Sequence, residues 1–304
     1  MTTARPLSSS PKARDLPPWA TWALLILGTL AASISAILIR YATEAHPLAI
    51  SFWRCSVGAA VLLPFAGRGL RKLGPSVMKM PAWAGFFLAI HFATWITSID
   101  MTSIAASVLL VSTAPIFIAI AARYLLAERL PTIAWVGIGG AMLGAVLISG
   151  TDFGGSSHAG NILALIGGAT AGWYFLAGQV ARRDVGILQY AVIAYGVAAA
   201  LLLAVCVVIG VELAGYPAST WWAIAGLIVG PQLLGHTIIN LVLSDIDATT
   251  VSVTIMAEPI IAIALAYLLF SEAPSWLVYP GGAAILAGIY VVSTERRQPA
   301  IVVE

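Results

Sequence analysis

Apolar residues in this chain run in blocks about as long as a bilayer is thick, and no other feature restricts its fold as much. WALLILGTLAASISAILI (Trp22 to Ile39) and WWAIAGLIVGPQLLGHTIINLVL (Trp221 to Leu243) are two of them. A helix needs roughly 20 apolar residues to cross a hydrocarbon core of about 30 Å. The blocks lack the polar/apolar alternation of a transmembrane barrel strand. Composition agrees: of 304 residues 60% are hydrophobic and 9% charged, against roughly 25% charged in an ordinary soluble domain. A soluble core of this size could not hide so much apolar surface, so a soluble globular enzyme is excluded. Thirteen acids against 15 bases leave a net charge of +2, which argues against a nucleic-acid-binding surface or an acidic tail.

Polar punctuation divides the chain into ten predicted helices, at about 20–40, 47–66, 82–99, 103–125, 131–149, 160–180, 187–211, 219–243, 249–270 and 275–293. The expected fold is all-α, a polytopic membrane protein. Short connections make consecutive helices antiparallel. With the N-terminus inside, 13 of the 15 bases fall on the cytoplasmic face, Arg40 and Arg54 being the two others; the opposite orientation breaks the positive-inside bias. Both termini are therefore expected in the cytoplasm, and the protein in the cell (inner) membrane. Residues 1–18 and 295–304 read as polar tails, the first of them disordered. Cys55 and Cys206 sit alone inside apolar blocks and read as small hydrophobes. No metal site and no cofactor is predicted.

The chain repeats itself. A shift of 144 residues aligns Pro115 with Pro259, Glu128 with Glu272, Gly137 with Gly281, Gly144 with Gly288 and Ser149 with Ser293. Earlier parts align near a shift of 140, as Gly28 with Gly168 and Val57 with Val197. The halves are placed at 19–150 and 151–294. Five helices per half is an odd number, so the second half enters the membrane in the opposite sense. Such inverted repeats are the architecture of alternating-access transporters.

The stretches ASVLLVSTAPIFIAIAARYLLAERLPTIAWVGIGGAMLGAVLISG (Ala106 to Gly150) and VSVTIMAEPIIAIALAYLLFSEAPSWLVYPGGAAILAGIYVVS (Val251 to Ser293) resemble the two EamA domains of the drug/metabolite transporter superfamily. ISFWRCSVGAAVLLP (Ile50 to Pro64), with Arg54, fits the same pattern. The resemblance implies export of small metabolites, drugs or nucleotide precursors through a central cavity lined mainly by spans 1, 3, 4, 6, 8 and 9, with spans 5 and 10 at the periphery.

Within that frame the residues nominate a site. Pro115 and Pro259 fall mid-span in the two halves, where a lost backbone hydrogen bond loosens the helix; they are the expected hinge or gating points. Glu258 precedes the second proline, and Arg54 lies about 10 Å into its span at 1.5 Å per residue. Charges at such depth are costly and by default functional. Arg54 is expected to pair with Glu258 or with a substrate carboxylate, and Glu258 to bind an ammonium, carry a proton or cap freed backbone. His91 and Trp95 form an i, i+4 stripe with Phe87 and Ser98; Gln232, His236 and Asn240 form another, followed by Ser244; Trp173 and Tyr174 lie mid-way along span six. Deep aromatics suit an amphipathic ligand. The glycines of spans five and ten have small-residue spacing for close contact, within one protomer or across a homodimer; a monomer is equally compatible.

No HExxH, GxSxG or GxGD motif occurs, which argues against an intramembrane enzyme, and the lack of a sizeable domain argues against a receptor. The expected function is a secondary-active or facilitative transporter in a lipid bilayer, exporting a small organic solute such as a neutral or aromatic amino acid. Efflux of drugs or cations by proton antiport is the alternative, and a coupled proton is left open.

Overall fold

The architecture was determined from a computed structural model, which describes residues 17–102, 104–125, 130–149, 157–261 and 276–294. The two tails, with Arg5, Lys12, Arg14, Arg296 and Arg297, fall outside these residues, as do Arg129 and the repeat-related Glu128 and Glu272.

All secondary structure among the described residues is helical. In chain order the helices are α1 (Pro18–Ser33), α2 (Ser35–Tyr41), α3 (Pro47–Leu70), α4 (Pro75–Met101), α5 (Ile104–Val111), α6 (Ala114–Leu125), α7 (Thr132–Ser149), α8 (His158–Ala181), α9 (Ile187–Ile209) and α10 (Ala218–Leu227). A π-helix (Ile228–His236), α11 (Thr237–Val242), α12 (Ala248–Ile255) and α13 (Val278–Thr294) follow. Seven segments have the length and hydropathy to cross a membrane, and three shorter apolar helices lie at Thr132–Leu147, Ala248–Ile261 and Tyr279–Thr294. Together they fall on the ten predicted spans. The protein is a polytopic all-α membrane protein.

Helix starts follow local chemistry. Pro18, Pro47 and Pro75 sit in the first turns of α1, α3 and α4, where a missing N–H costs nothing and the fixed φ suits a helix. Asp247 caps α12, accepting from the Thr250 backbone N–H at 2.7 Å and from its hydroxyl at 2.8 Å, a standard satisfaction of orphan donors. α9 ends at Gly210 with φ 73°, a left-handed position that glycine takes without a Cβ penalty. On the basic side, α3 runs on to Leu70 and α4 begins at Pro75, beyond the apolar blocks. Backbone hydrogen bonding carries a helix past the hydrocarbon boundary whatever the side chains are.

Packing is closest where glycine removes the side chain. A Cβ on Gly85 of α4 would lie 2.4 Å from the Ala194 carbonyl oxygen of α9. One on Gly144 of α7 would lie 2.4 Å from the Gly281 carbonyl, and one on Gly288 of α13 2.5 Å from that of Gly137. The glycines of spans five and ten thus seat α7 and α13 on each other within the chain. The outer surface is a belt of exposed aliphatic side chains, among them Ile162, Val208 and Leu286, with Trp19, Trp222 and Trp276 also exposed. Indoles near helix starts suit the bilayer interface.

Among the described residues, four spans are not continuous α-helices. The fourth breaks at Ser112–Thr113 and the ninth at Met256–Ala257, three and two residues ahead of Pro115 and three and two ahead of Pro259. In both, i→i−3 bonds replace α-helical ones: Thr113 N–H to Leu110 O at 3.2 Å, Ala257 N–H to Thr254 O at 3.0 Å. The first span breaks at Ile34 without a proline. Just before it, the Thr29 and Ser33 hydroxyls donate to the carbonyls four residues back, at 2.9 and 2.7 Å, a bond that competes with the helix ladder and bends it. The eighth span holds the π-helix, with Pro231 inside it.

Candidate functional site

These interruptions meet at one place. A cavity of about 80 Å³, several times the room one water needs, opens among the first, third, fourth, sixth, eighth and ninth spans. Ala32 and Ser35 flank the break of the first span, Val111, Ser112, Ala114 and Pro115 that of the fourth, and Ile255, Met256 and Glu258 that of the ninth; all line the cavity. α4 contributes His91 and Trp95, α8 contributes Ala171, Tyr174 and Phe175, and the eighth span Pro231, His236 and Ile239.

The aromatic wall is ordered by stacking. Trp95 lies flat against His91, centroids 5.6 Å apart and planes 8° apart. His91 Nδ1 is 2.9 Å from the Gly167 carbonyl oxygen. A carbonyl only accepts, so Nδ1 carries a proton and Nε2 is the ring nitrogen left unengaged by Gly167. His236 faces His91 across the cavity at 6.5 Å and meets Phe92 edge-on at 5.2 Å. The Trp95 indole N–H and His236 Nδ1 are buried and have no hydrogen-bond partner among the described residues. The Ser112 and Ser252 hydroxyls, by contrast, are engaged with backbone carbonyls one turn back, at 2.7 and 2.9 Å. The wall therefore combines flat aromatic faces, a free indole N–H and one carboxylate, Glu258.

Toward the basic side the cavity has a polar floor. Asn240 Nδ2 donates to the Tyr174 hydroxyl and to the His236 carbonyl, both at 2.6 Å. Below it, Arg182 Nε donates to the Asn240 carbonyl at 3.1 Å and Arg182 Nη1 to the Val185 carbonyl. Arg182 lies just past the end of α8; burial lowers its pKa, while Tyr190 and Asp245 favour its charge. Side-chain bonds across helices thus tie α8 to α11 under the cavity.

Of the residues nominated from sequence, His91, Trp95, Tyr174, His236, Glu258 and Pro115 stand on the cavity wall. Three do not. Trp173 stacks on Phe87 at 5.6 Å, 19° from parallel. α8 turns Ala171, Tyr174 and Phe175 to the cavity, and the Phe87 contact holds Trp173 outside that set. Gln232 is buried against Gly58 and Tyr195, and Asn240 lies in the floor. The expected i, i+4 stripe through Gln232, His236 and Asn240 assumed an α-helix. A π-helix brings residues five apart into line, so Pro231 and His236 share the wall and Gln232 turns away. Pro259 lies just beyond the wall residue Glu258, buried. Phe87 and Ser98 also leave the α4 stripe, Ser98 bonding Ser107 at 2.6 Å. The Trp53 indole donates to the Leu213 carbonyl at 2.8 Å, in the loop after α9.

Arg54 is fully buried. Its Nη1 donates to the Ser35 hydroxyl at 3.2 Å, and its guanidinium carbon sits 4.2 Å above the Phe92 ring. Pairing with Glu258 is not realised in this conformation. Ser35, Ser252 and Pro231 are wall residues that the sequence reading passed over. Pro231 carried a usable signal, a proline inside an apolar block.

A family model described as the EamA-like transporter family matches residues 19–150 and again 158–294. The chain is similar to an uncharacterized transporter, YdfC, of Bacillus subtilis (strain 168), at 24% identity over 273 residues, 87% of each chain. It also resembles a protein of known crystal structure at TM-score 0.76 and 19% identity, covering 91% of this chain and 97% of that one; this likeness concerns the fold.

Proposed function

The chain belongs to the EamA-like transporter family, and from that premise we propose that it exports a small organic solute, a neutral or aromatic amino acid, by alternating access. One observation carries the reading: the helix breaks at Ser112–Thr113 and Met256–Ala257, related by the internal repeat, open onto the same aromatic cavity. Interrupted helices at matching places in two halves are where transporters hold their cargo.

In this reading His91, Trp95, Tyr174 and His236 form the faces against which an apolar or aromatic side chain stacks. Glu258 receives the ammonium group. Pro115 and Pro259 are the points about which each half bends, and Trp173, Gln232 and Asn240 support the wall from behind. The halves, 19–150 and 151–294, rock against one another in the cell membrane with both termini in the cytoplasm. When the cavity turns toward the basic side, the bonds from Asn240 to Tyr174 and from Arg182 to the Asn240 carbonyl have to open.

The combination of a carboxylate with aromatic faces also favours a second reading, efflux of organic cations in exchange for protons. Counterflow in proteoliposomes against a panel of amino acids and aromatic cations, with and without a pH gradient, separates the two. Amino-acid counterflow that needs no gradient supports the first; cation flux driven by the gradient supports the second. No saturable flux of any solute contradicts both.

A further inference from the structure

Arg54 is poorly explained as a structural residue. A guanidinium presents five N–H donors in a fixed fork, and here only Nη1 is used, on the Ser35 hydroxyl. Nε and Nη2 are buried and have no partner among the described residues. Glu258 acts on the guanidinium electrostatically but makes no hydrogen bond to it; burying a charge whose donors stay idle is costly, and an apolar side chain of similar volume is often the more stable choice. The Phe92 ring 4.2 Å away holds the plane of the group and shields one face, but it accepts none of the idle in-plane donors. The fold does not demand a cation there either: at the shift of 140 that relates the early spans, Arg54 corresponds to Ala194, also buried. Glu258 is unmatched in the same way, opposite Ala114. The two departures from the repeat are opposite in charge and adjoin one cavity. Glu258 is on its wall, and Arg54 is held immediately behind the wall residue Ser35.

We infer that Arg54 is the carboxylate-binding residue of this cavity, so that the cargo is amphoteric, with its ammonium on Glu258 and its carboxylate on the Arg54 fork. Ser35 is the latch. It follows the break at Ile34, and rotation of its hydroxyl away from Nη1 exposes the guanidinium to the cavity. A carboxylate then takes the idle N–H groups, since paired N–H···O bonds are the geometry a guanidinium offers best. A bound carboxylate adds the paired bonds that Ser35, Phe92 and the distant Glu258 do not supply. This inference rests on the transport reading above and adds the residue that binds the cargo's carboxylate.

The test uses the full-length protein in proteoliposomes. Labelled phenylalanine, leucine and serine are competed with the unlabelled acids and with their carboxamides, and uptake of labelled phenethylamine is followed in parallel. In the wild type each acid should compete at least about tenfold better than its carboxamide, the order expected for a charge-assisted pair. Arg54→Gln should bring that ratio to within about twofold, while phenethylamine uptake stays equal or rises relative to the acids, a gain that a misfolded variant cannot give. Arg54→Lys should keep part of the preference. If Arg54→Gln does not fold, Arg54→Lys decides: a reduced acid-to-carboxamide ratio supports the assignment, and a ratio unchanged from the wild type overturns it. Equal handling of acids, carboxamides and the amine by the wild type, or an undiminished preference in Arg54→Gln, overturns the carboxylate site and leaves transport standing. No saturable flux of any of these solutes removes the transport reading beneath it as well.

Discussion

The Tyr174 hydroxyl and the Asn240 amide form a buried hydrogen bond whose loss can be priced. Tyr174→Phe leaves the amide without its 2.6 Å acceptor, and an orphaned buried group costs about 1–3 kcal/mol. The variant is expected to melt several degrees lower in detergent; an unchanged midpoint would mean the bond contributes nothing to the floor. On the wall, Glu258→Gln should weaken binding of ammonium-bearing solutes by roughly tenfold or more, the worth of a charge-assisted hydrogen bond, measured as the half-saturation concentration for counterflow. Wild-type affinity in a folded Glu258→Gln protein would place the ammonium elsewhere. Residues of this kind were legible in the sequence where rarity marked them out: a carboxylate or imidazole in an apolar block is conspicuous whatever the fold. Ser35 and Ser252 were not legible, because serine is common in membrane helices and its place depends on breaks that its own letter does not announce.

Helices carry the next level of explanation. The breaks ahead of Pro115 and Pro259 were readable, since proline removes a donor and disturbs the turn before it. The break at Ile34 was not, because it arises from hydroxyls bonding back along α1, and many serines and threonines do so without interrupting a helix. The π-helix at Ile228–His236 was the costliest omission: it rotates Gln232 off the wall, and an i, i+4 stripe cannot reveal it. Pro231→Ala restores the missing N–H and lets the segment relax toward an α-helix, so transport is expected to fall several-fold with little loss of stability. Wild-type flux in that variant would show that the π-helix is incidental. Helix contacts make a paired prediction. Gly288→Ala places a methyl 2.5 Å from the Gly137 carbonyl and is expected to cost about 1–3 kcal/mol by overpacking. Gly139→Ala, with nothing within 4 Å of the added carbon, should be neutral or stabilise by up to about 1 kcal/mol through helix entropy. Thermal melts of the two variants side by side check it.

At the scale of the whole molecule, the internal repeat is what the proposed access to one cavity from two directions rests on. The first half brings the break at Ser112–Thr113 and the second the break at Met256–Ala257, and both adjoin the space between His91 and His236. In the proposed alternating access, bending at one break with straightening at the other would exchange an inward-facing for an outward-facing shape without rebuilding either half. The close glycine contacts between α7 and α13 would give such a motion a fixed flank. Ten spans and their repeat could be read from hydropathy and a few landmarks because the bilayer imposes length and punctuation. The cavity could not, because it depends on how interrupted helices from both halves meet. The most direct measurement replaces Cys55 with Ala and Cys206 with Ser, introduces Ser112→Cys or Ser252→Cys on the wall, and follows labelling by a membrane-impermeant thiol reagent added to one side at a time. Alternating access predicts that both positions react from either side of the membrane and that bound solute slows the reaction. Labelling confined to one side, with and without solute, would contradict it.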